Sequence, residues 1–199
     1  MICFAALDVA PLEVDKLLKS LARPAPATTA FVEVRYSKLL DQPLIVKGQL
    51  EYHEDGTLVR AVNDPFRERT EIRGETVSVE RVGHSTRRFS LKRAPELRSM
   101  LGGFGAVLGG SRASIDEDFN LALKGDTKQW QLTMTPKAAT VGKYVRDIVI
   151  HGRDNEPKCI VVTQPDTQAS VMFVGKASET SLPKPLTREW LDHFCEAGS

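Results

Sequence analysis

The residues able to do chemistry in this chain are few and poorly arranged for it. His84 beside Ser85, and His193 two residues before Cys195, each set a base next to a nucleophile type, and ester hydrolysis would be their chemistry. Neither pair has an evident third member or oxyanion-hole motif, and residues two apart on a helix do not face each other. Chance adjacency is the better reading, and ester hydrolysis stays only as the rival. Asp116, Glu117 and Asp118 could attract a cation but lack calcium-loop spacing, so they read as a polar turn or helix cap. Cys3, Cys159 and Cys195 have no C-x-x-C spacing and cannot all pair. Neither a disulfide framework nor a zinc site is expected, and cysteine leaves the compartment open. Seven arginines, Arg67, Arg69, Arg73, Arg81, Arg87, Arg88 and Arg93, are interleaved with Glu68, Glu71, Glu75 and Glu80. That pattern suits an outward sheet face with cross-strand ion pairs; the alternative is a docking face for a donor or acceptor protein at a membrane. The expectation is a non-enzyme with no metal and no cofactor.

Composition excludes further classes. With 27 basic and 26 acidic residues and a sequence pI near 7.7, nothing concentrates polyanions, so nucleic acid is not an expected partner. A length of 199 residues suits one all-β domain. The first residues, M-I-C-F-A-A-L-D, are apolar with small residues at Ala5 and Ala6. Met1 to Ala6 could be the remnant of a secretory signal or a short packed or disordered terminus. No stretch approaches the roughly 20 apolar residues of a spanning helix.

The elements follow from periodicity. Leu12, Val14, Leu17, Leu18 and Leu21 share one stripe of a helix over Pro11 to Leu21. After the P-A-P-A breaker the period becomes two: Ala30, Val32, Val34 and Tyr36 alternate with Phe31, Glu33, Arg35 and Ser37. Leu44, Val46, Gly48, Leu50 and Tyr52 repeat the pattern, and E-D-G at Glu54 to Gly56 turns the chain into a partner strand over Thr57 to Val62. Strands are expected again at Phe66–Ile72, Thr76–Val82, Arg87–Leu91, Phe119–Lys124, Gln129–Thr135, Tyr144–His151, Cys159–Gln164 and Ala169–Gly175, about eleven in all. Between them, Ala94 to Gly110 carries Leu97, Met100, Leu101, Phe104, Val107 and Leu108 at helical spacing but is interrupted by Gly102, Gly103 and Gly105. At about 1 kcal/mol per interior glycine, that helix is marginal. A terminal helix over Thr187 to Ala197 sets Trp190, Leu191 and Phe194 on one face.

The order of these pieces resembles the periplasmic outer-membrane lipoprotein carrier (LolA-like) family: a helix, a hairpin with G-x-L-x-Y then D-G-x-L, Pro65, a glycine-rich helical interruption, and W-x-L-x-x-T-P-K with two closing hairpins. The resemblance covers roughly Val14 to Lys176 and is sharpest at Leu132 to Lys137. It implies an unclosed barrel of about eleven antiparallel strands, a lid of short helices, and an apolar cavity between them that receives acyl chains. It also implies a signal-bearing periplasmic protein. One departure matters. The best-known carriers have, after an aromatic residue in the third strand, an arginine that ties the lid to the barrel. Here Leu58 holds the aromatic position, Val59 the arginine position, and Arg60 comes one residue later. A one-residue displacement on a strand predicts that Arg60 faces the other way unless a bulge intervenes.

The fold class expected is therefore mainly β (α+β), an incomplete antiparallel barrel with helical cover, forming one carrier domain over 7–199. Its cavity residues are expected to be Val32, Val34, Tyr36, Val46, Leu50, Trp130, Leu132 and Met134 from the sheet, and Met100, Leu101, Phe104 and Leu108 from the lid; strand parity could invert part of the first set. The expected partners are acyl chains of a lipoprotein or other lipid and membrane-associated donor and acceptor proteins, with the carrier a monomer. A scaffold protein docking through its outer sheet face is the second rival.

Overall fold

Period-two alternation is realised as eleven antiparallel strands in one sheet. The computed structural model describes residues 13–38, 40–91, 115–165 and 169–197. The strands are β1 (Ala27–Tyr36), β2 (Leu44–Tyr52), β3 (Leu58–Asp64), β4 (Glu68–Arg73), β5 (Thr76–Arg81), β6 (Arg87–Ser90), β7 (Phe119–Gly125), β8 (Trp130–Pro136), β9 (Asp147–Arg153), β10 (Glu156–Thr163) and β11 (Ala169–Val174). They lie in the order β6-β5-β4-β3-β2-β1-β11-β10-β9-β8-β7. Two meanders are joined where β1 pairs with β11, Val32 opposite Phe173 and Val34 opposite Val171. The two edges, β6 and β7, do not pair with each other, so the sheet is not closed. The expected incomplete antiparallel barrel of about eleven strands is the one found; the lid expected over Ala94 to Gly110 lies outside the described residues.

Helix α1 (Val14–Leu21) forms where the apolar stripe predicted it, with Asp15 in its first turn and Lys19 in its last, both favourable to the helix dipole. Its Leu17, Leu18 and Leu21 are buried against one face of the sheet, here the inner face. There they meet Phe31, Val46, Val62, Trp130, Leu132, Met134, Ile148 and Ile150. Trp130 lies flat across β9 because position 152 is glycine: a Cβ there would sit 2.1 Å from the indole ring. The indole N–H donates to the Asp154 carbonyl at 2.9 Å, so the buried ring leaves no polar atom unpaired.

The opposite face is covered as well. Helix α3 (Arg188–Glu196), which follows the single-turn α2 (Ala139–Gly142) in chain order, is capped by Thr187, whose hydroxyl accepts from Trp190 N–H at 3.2 Å. It sets Leu191, Cys195, Trp190 and Phe194 against Val32, Val34, Val171 and Phe173. The Lys158 ammonium closes its end, donating to the carbonyls of Phe194 and Ala197 at 2.6 and 2.8 Å. A disulfide joins Cys159 of β10 to Cys195 of α3, with Cα atoms 5.6 Å apart. Three cysteines that cannot all pair were expected to make no disulfide framework, and this single bridge was not foreseen. The two are separated by 36 residues, a spacing with no motif, and only the packing of α3 across β10 brings them together. Cys3 lies outside the described residues.

Candidate functional site

A cavity of about 540 Å³ opens on the inner face, beyond the part that α1 fills. Its apolar wall is built by strand alternation: Leu50 of β2, Leu58 of β3, Ile72 of β4, Val77 and Val79 of β5, and Phe89 of β6. Cross-strand pairing explains why these side chains converge, since Leu58 stands opposite Ile72, Ile72 opposite Val77, and Val77 opposite Phe89. Ile160, Val162 and Met172 close the other side.

A charged cluster interrupts this apolar lining. Glu33 is only 5% exposed, and its carboxylate accepts four hydrogen bonds. Arg35 forks onto both oxygens at 2.9 Å, Arg60 Nη2 donates to Oε2 at 2.5 Å, and the Ser170 hydroxyl donates to Oε1 at 2.5 Å. The cluster thus ties β1, β3 and β11 together. Burial by itself would push the Glu33 carboxyl up; the hydrogen bond from Arg35, the nearby charges of Arg60 and Arg35, and the Ser170 hydroxyl outweigh it and hold the group below the usual range. The Arg60 guanidinium also lies 4.9 Å above the Phe31 ring, a cation–π contact, and 3.9 Å from Glu68.

The sequence-expected residues divide into four groups. Leu50 lines the cavity. Tyr36 borders it while packing with the cluster under α3; its hydroxyl is buried without a hydrogen-bond partner among the described residues, and burial pushes its pKa up. Val46, Trp130, Leu132 and Met134 are on the inner face but within the part packed against α1. Val32 and Val34 point to the opposite face, into the cluster beneath α3. They were expected on the cavity side, so β1 is inverted: Phe31 and Glu33 face inward. The reason is that α3 gives the other face a greasy cover of its own, and the valines of β1 serve that cover. Met100, Leu101, Phe104 and Leu108, and with them the lid, lie outside the described residues.

Arg60 is a further correction. It was expected to face away, yet it pairs across with Leu50 and Thr70, both cavity residues, and belongs to the same wall. The register of the Glu54–Gly56 hairpin sets its side. Its partner in the described structure is Glu33. Sequence reading missed Glu33, Arg35 and Ser170 altogether; the available signal was an acidic residue flanked by valines in a strand, with a basic residue two positions on. Of the residues weighed for hydrolysis, Cys195 is in the disulfide and carries no thiol, while His84 and Ser85 are exposed in the β5–β6 turn. Among the described residues no group of three or more His, Cys, Asp or Glu side chains could hold a metal ion. Two of the interleaved arginines make ion pairs of the expected kind, Arg69 with Glu51 at 3.2 Å, and Arg73 with Glu71 at 3.4 Å and Asp55 at 3.7 Å, while Glu68 instead lines the cavity beside Arg60 and Arg93 lies outside the described residues.

Among solved structures, the chain is similar to a LolA superfamily protein from Nitrosomonas europaea, at 12% identity and TM-score 0.42 over 90% of this chain and 100% of that one. It is also similar to a putative outer membrane lipoprotein-sorting protein domain from Vibrio parahaemolyticus, at 10% identity and TM-score 0.44 over 89% and 96%. A third is LprF from Mycobacterium bovis, at 13% identity and TM-score 0.37 over 87% and 97%. No curated protein sequence matches. The family model described as outer membrane lipoprotein carrier protein LolA-like matches residues 6–193, nearly the whole length, and the chain therefore belongs to that family.

Proposed function

We propose that the protein is a non-catalytic carrier, one domain over 7–199, that takes the acyl chains of a lipoprotein or other lipidated molecule into its inner-face cavity. It shuttles them through the periplasm toward the outer membrane, receiving them from one membrane-associated protein and passing them to another, as a monomer. The observation that carries the proposal is the apolar cavity itself. Among the described residues, a sheet whose inner face is packed against α1 along one part borders a cavity along the other, and about 540 Å³ is within the range of small-molecule sites. Each methylene moved there from water gains about 0.8 kcal/mol, so one long chain gains on the order of 10 kcal/mol. Family membership supports the carrier role. The Cys159–Cys195 disulfide suits an oxidising compartment such as the periplasm.

The test is lipid transfer between vesicles. The purified chain should accelerate movement of a fluorescent acylglycerol from donor to acceptor vesicles in proportion to its concentration. Transfer at the protein-free rate, with no probe bound at saturating protein, would contradict the proposal.

A further inference from the structure

The charged cluster in the cavity wall limits which polar group can accompany the acyl chain. Arg35 and Arg60 face Glu33 and Glu68, two cations against two anions. Glu51, at the rim, is already held by Arg69 at 3.2 Å. The wall therefore has no net charge to offer an anion. It does offer donors. A guanidinium has five N–H groups, and the one hydrogen bond that Arg60 makes among the described residues is to Glu33. Its contact with Glu68, at 3.9 Å, is too long for a second.

These facts sort the possible head groups. A chain without an acceptor would cover the remaining Arg60 donors and leave them unpaired, which is costly. A carboxylate or phosphate would satisfy them, but Arg35 and Arg60 are already balanced by Glu33 and Glu68, so the anion would give up its hydration for a site with no spare positive charge. A neutral carbonyl oxygen satisfies the donors and adds no charge.

We infer that, granted the carrier reading above, the cavity is selective for neutral acyl esters over free fatty acids, with Arg60 donating to the ester carbonyl. Arg60 sets the head-group preference, and Glu33, gripped by Arg35 and Ser170, fixes Arg60 in position. The low pKa direction of Glu33 agrees, because a Glu33 ionised at neutral pH keeps the neutral balance of the wall.

Calorimetric titration of the full chain with three ligands of equal chain length tests this: monopalmitoylglycerol, its hexadecyl ether analogue, and palmitate. The ester should bind about tenfold more tightly than the ether, the effect of one charged-donor hydrogen bond, and palmitate should be weakest. Arg60→Met should bring ester and ether to equal affinity. Arg60→Lys, which keeps the charge opposite Glu33 and guards against a folding defect, should retain part of the preference. Tightest binding of palmitate, or equal binding of ester and ether by the unaltered chain, overturns the inference. If a cooperatively folded chain binds none of the three, the carrier reading fails and this inference falls with it, a result distinct from binding without preference.

Discussion

Glu33 is the residue on which the inner wall turns. Removing its carboxylate leaves Arg35 and Arg60 with only Glu68, 3.9 Å from Arg60, as counter-charge, so Glu33→Ala should cost about 3 kcal/mol, the usual penalty for breaking a buried ion pair. Urea unfolding measures it, and a loss below about 1 kcal/mol would show the cluster to be energetically idle. The pH dependence has a definite sign. The folded-state carboxyl titrates below its ordinary value of 4.5, so the cluster's contribution is fully present above that pH and is lost as pH falls through the depressed folded value. Melting followed from pH 7 downward should show the unaltered protein losing more stability than Glu33→Gln in that acid window. Parallel curves would contradict it. Glu33 also marks the limit of reading residues one by one. Alternation correctly put Val32 and Val34 on one side of β1 and Glu33 on the other, but which side holds the cavity depends on what covers each face. Because β1 is buried on both faces over residues 31–34, polarity alone did not decide it.

At the scale of elements, the strands were legible because period two is a strong local signal, and all eleven formed near their expected bounds. The β9 strand begins at Asp147 rather than Tyr144, since Val141 to Val145 make a helical turn first. The placement of α3 was not legible. Its amphipathic face was plain from Trp190, Leu191 and Phe194, but its target was set by tertiary contacts: Phe173 meets the Trp190 and Phe194 rings edge-on at 6.4 and 5.1 Å, and Cys195 meets Cys159. The disulfide closes a 36-residue separation, which by the chain-entropy relation is worth about 4 kcal/mol. Reduction, or Cys159→Ser, should lower stability by about that amount in urea unfolding; no change on reduction would mean that α3 holds by packing alone. Gly152→Ala tests the other packed element. A methyl 2.1 Å from the Trp130 ring must displace it, at about 2 kcal/mol, seen as a blue- or red-shifted tryptophan emission together with a lower melting temperature. An unmoved spectrum and an unchanged melting temperature would show that the ring has room.

The molecule as a whole has one sheet with two differently used ends of its inner face. Toward β7–β9, Leu17, Leu18 and Leu21 of α1 fill the space with Trp130, Leu132 and Ile150. Toward β3–β6 the same kind of wall, Leu58, Ile72, Val77 and Val79, borders a hollow. That asymmetry is the physical basis of the proposed carrier role, and it makes filling the hollow informative: Val79→Trp should abolish acylglycerol binding while leaving the melting temperature equal or higher, because indole surface replaces vacant volume. Retained binding would place the acyl site elsewhere. The sequence carried the family and the open barrel; it did not carry the boundary between the packed and hollow parts, since Leu132 and Leu50 look alike as strand residues and differ only in what α1 reaches. The most direct measurement is native mass spectrometry of the protein purified from cells without detergent. Adducts matching acyl lipids, displaced by added monopalmitoylglycerol and missing from Val79→Trp, are the result expected. A clean apoprotein that also takes up no added acylglycerol would contradict the claim that the hollow exists to hold a lipid chain.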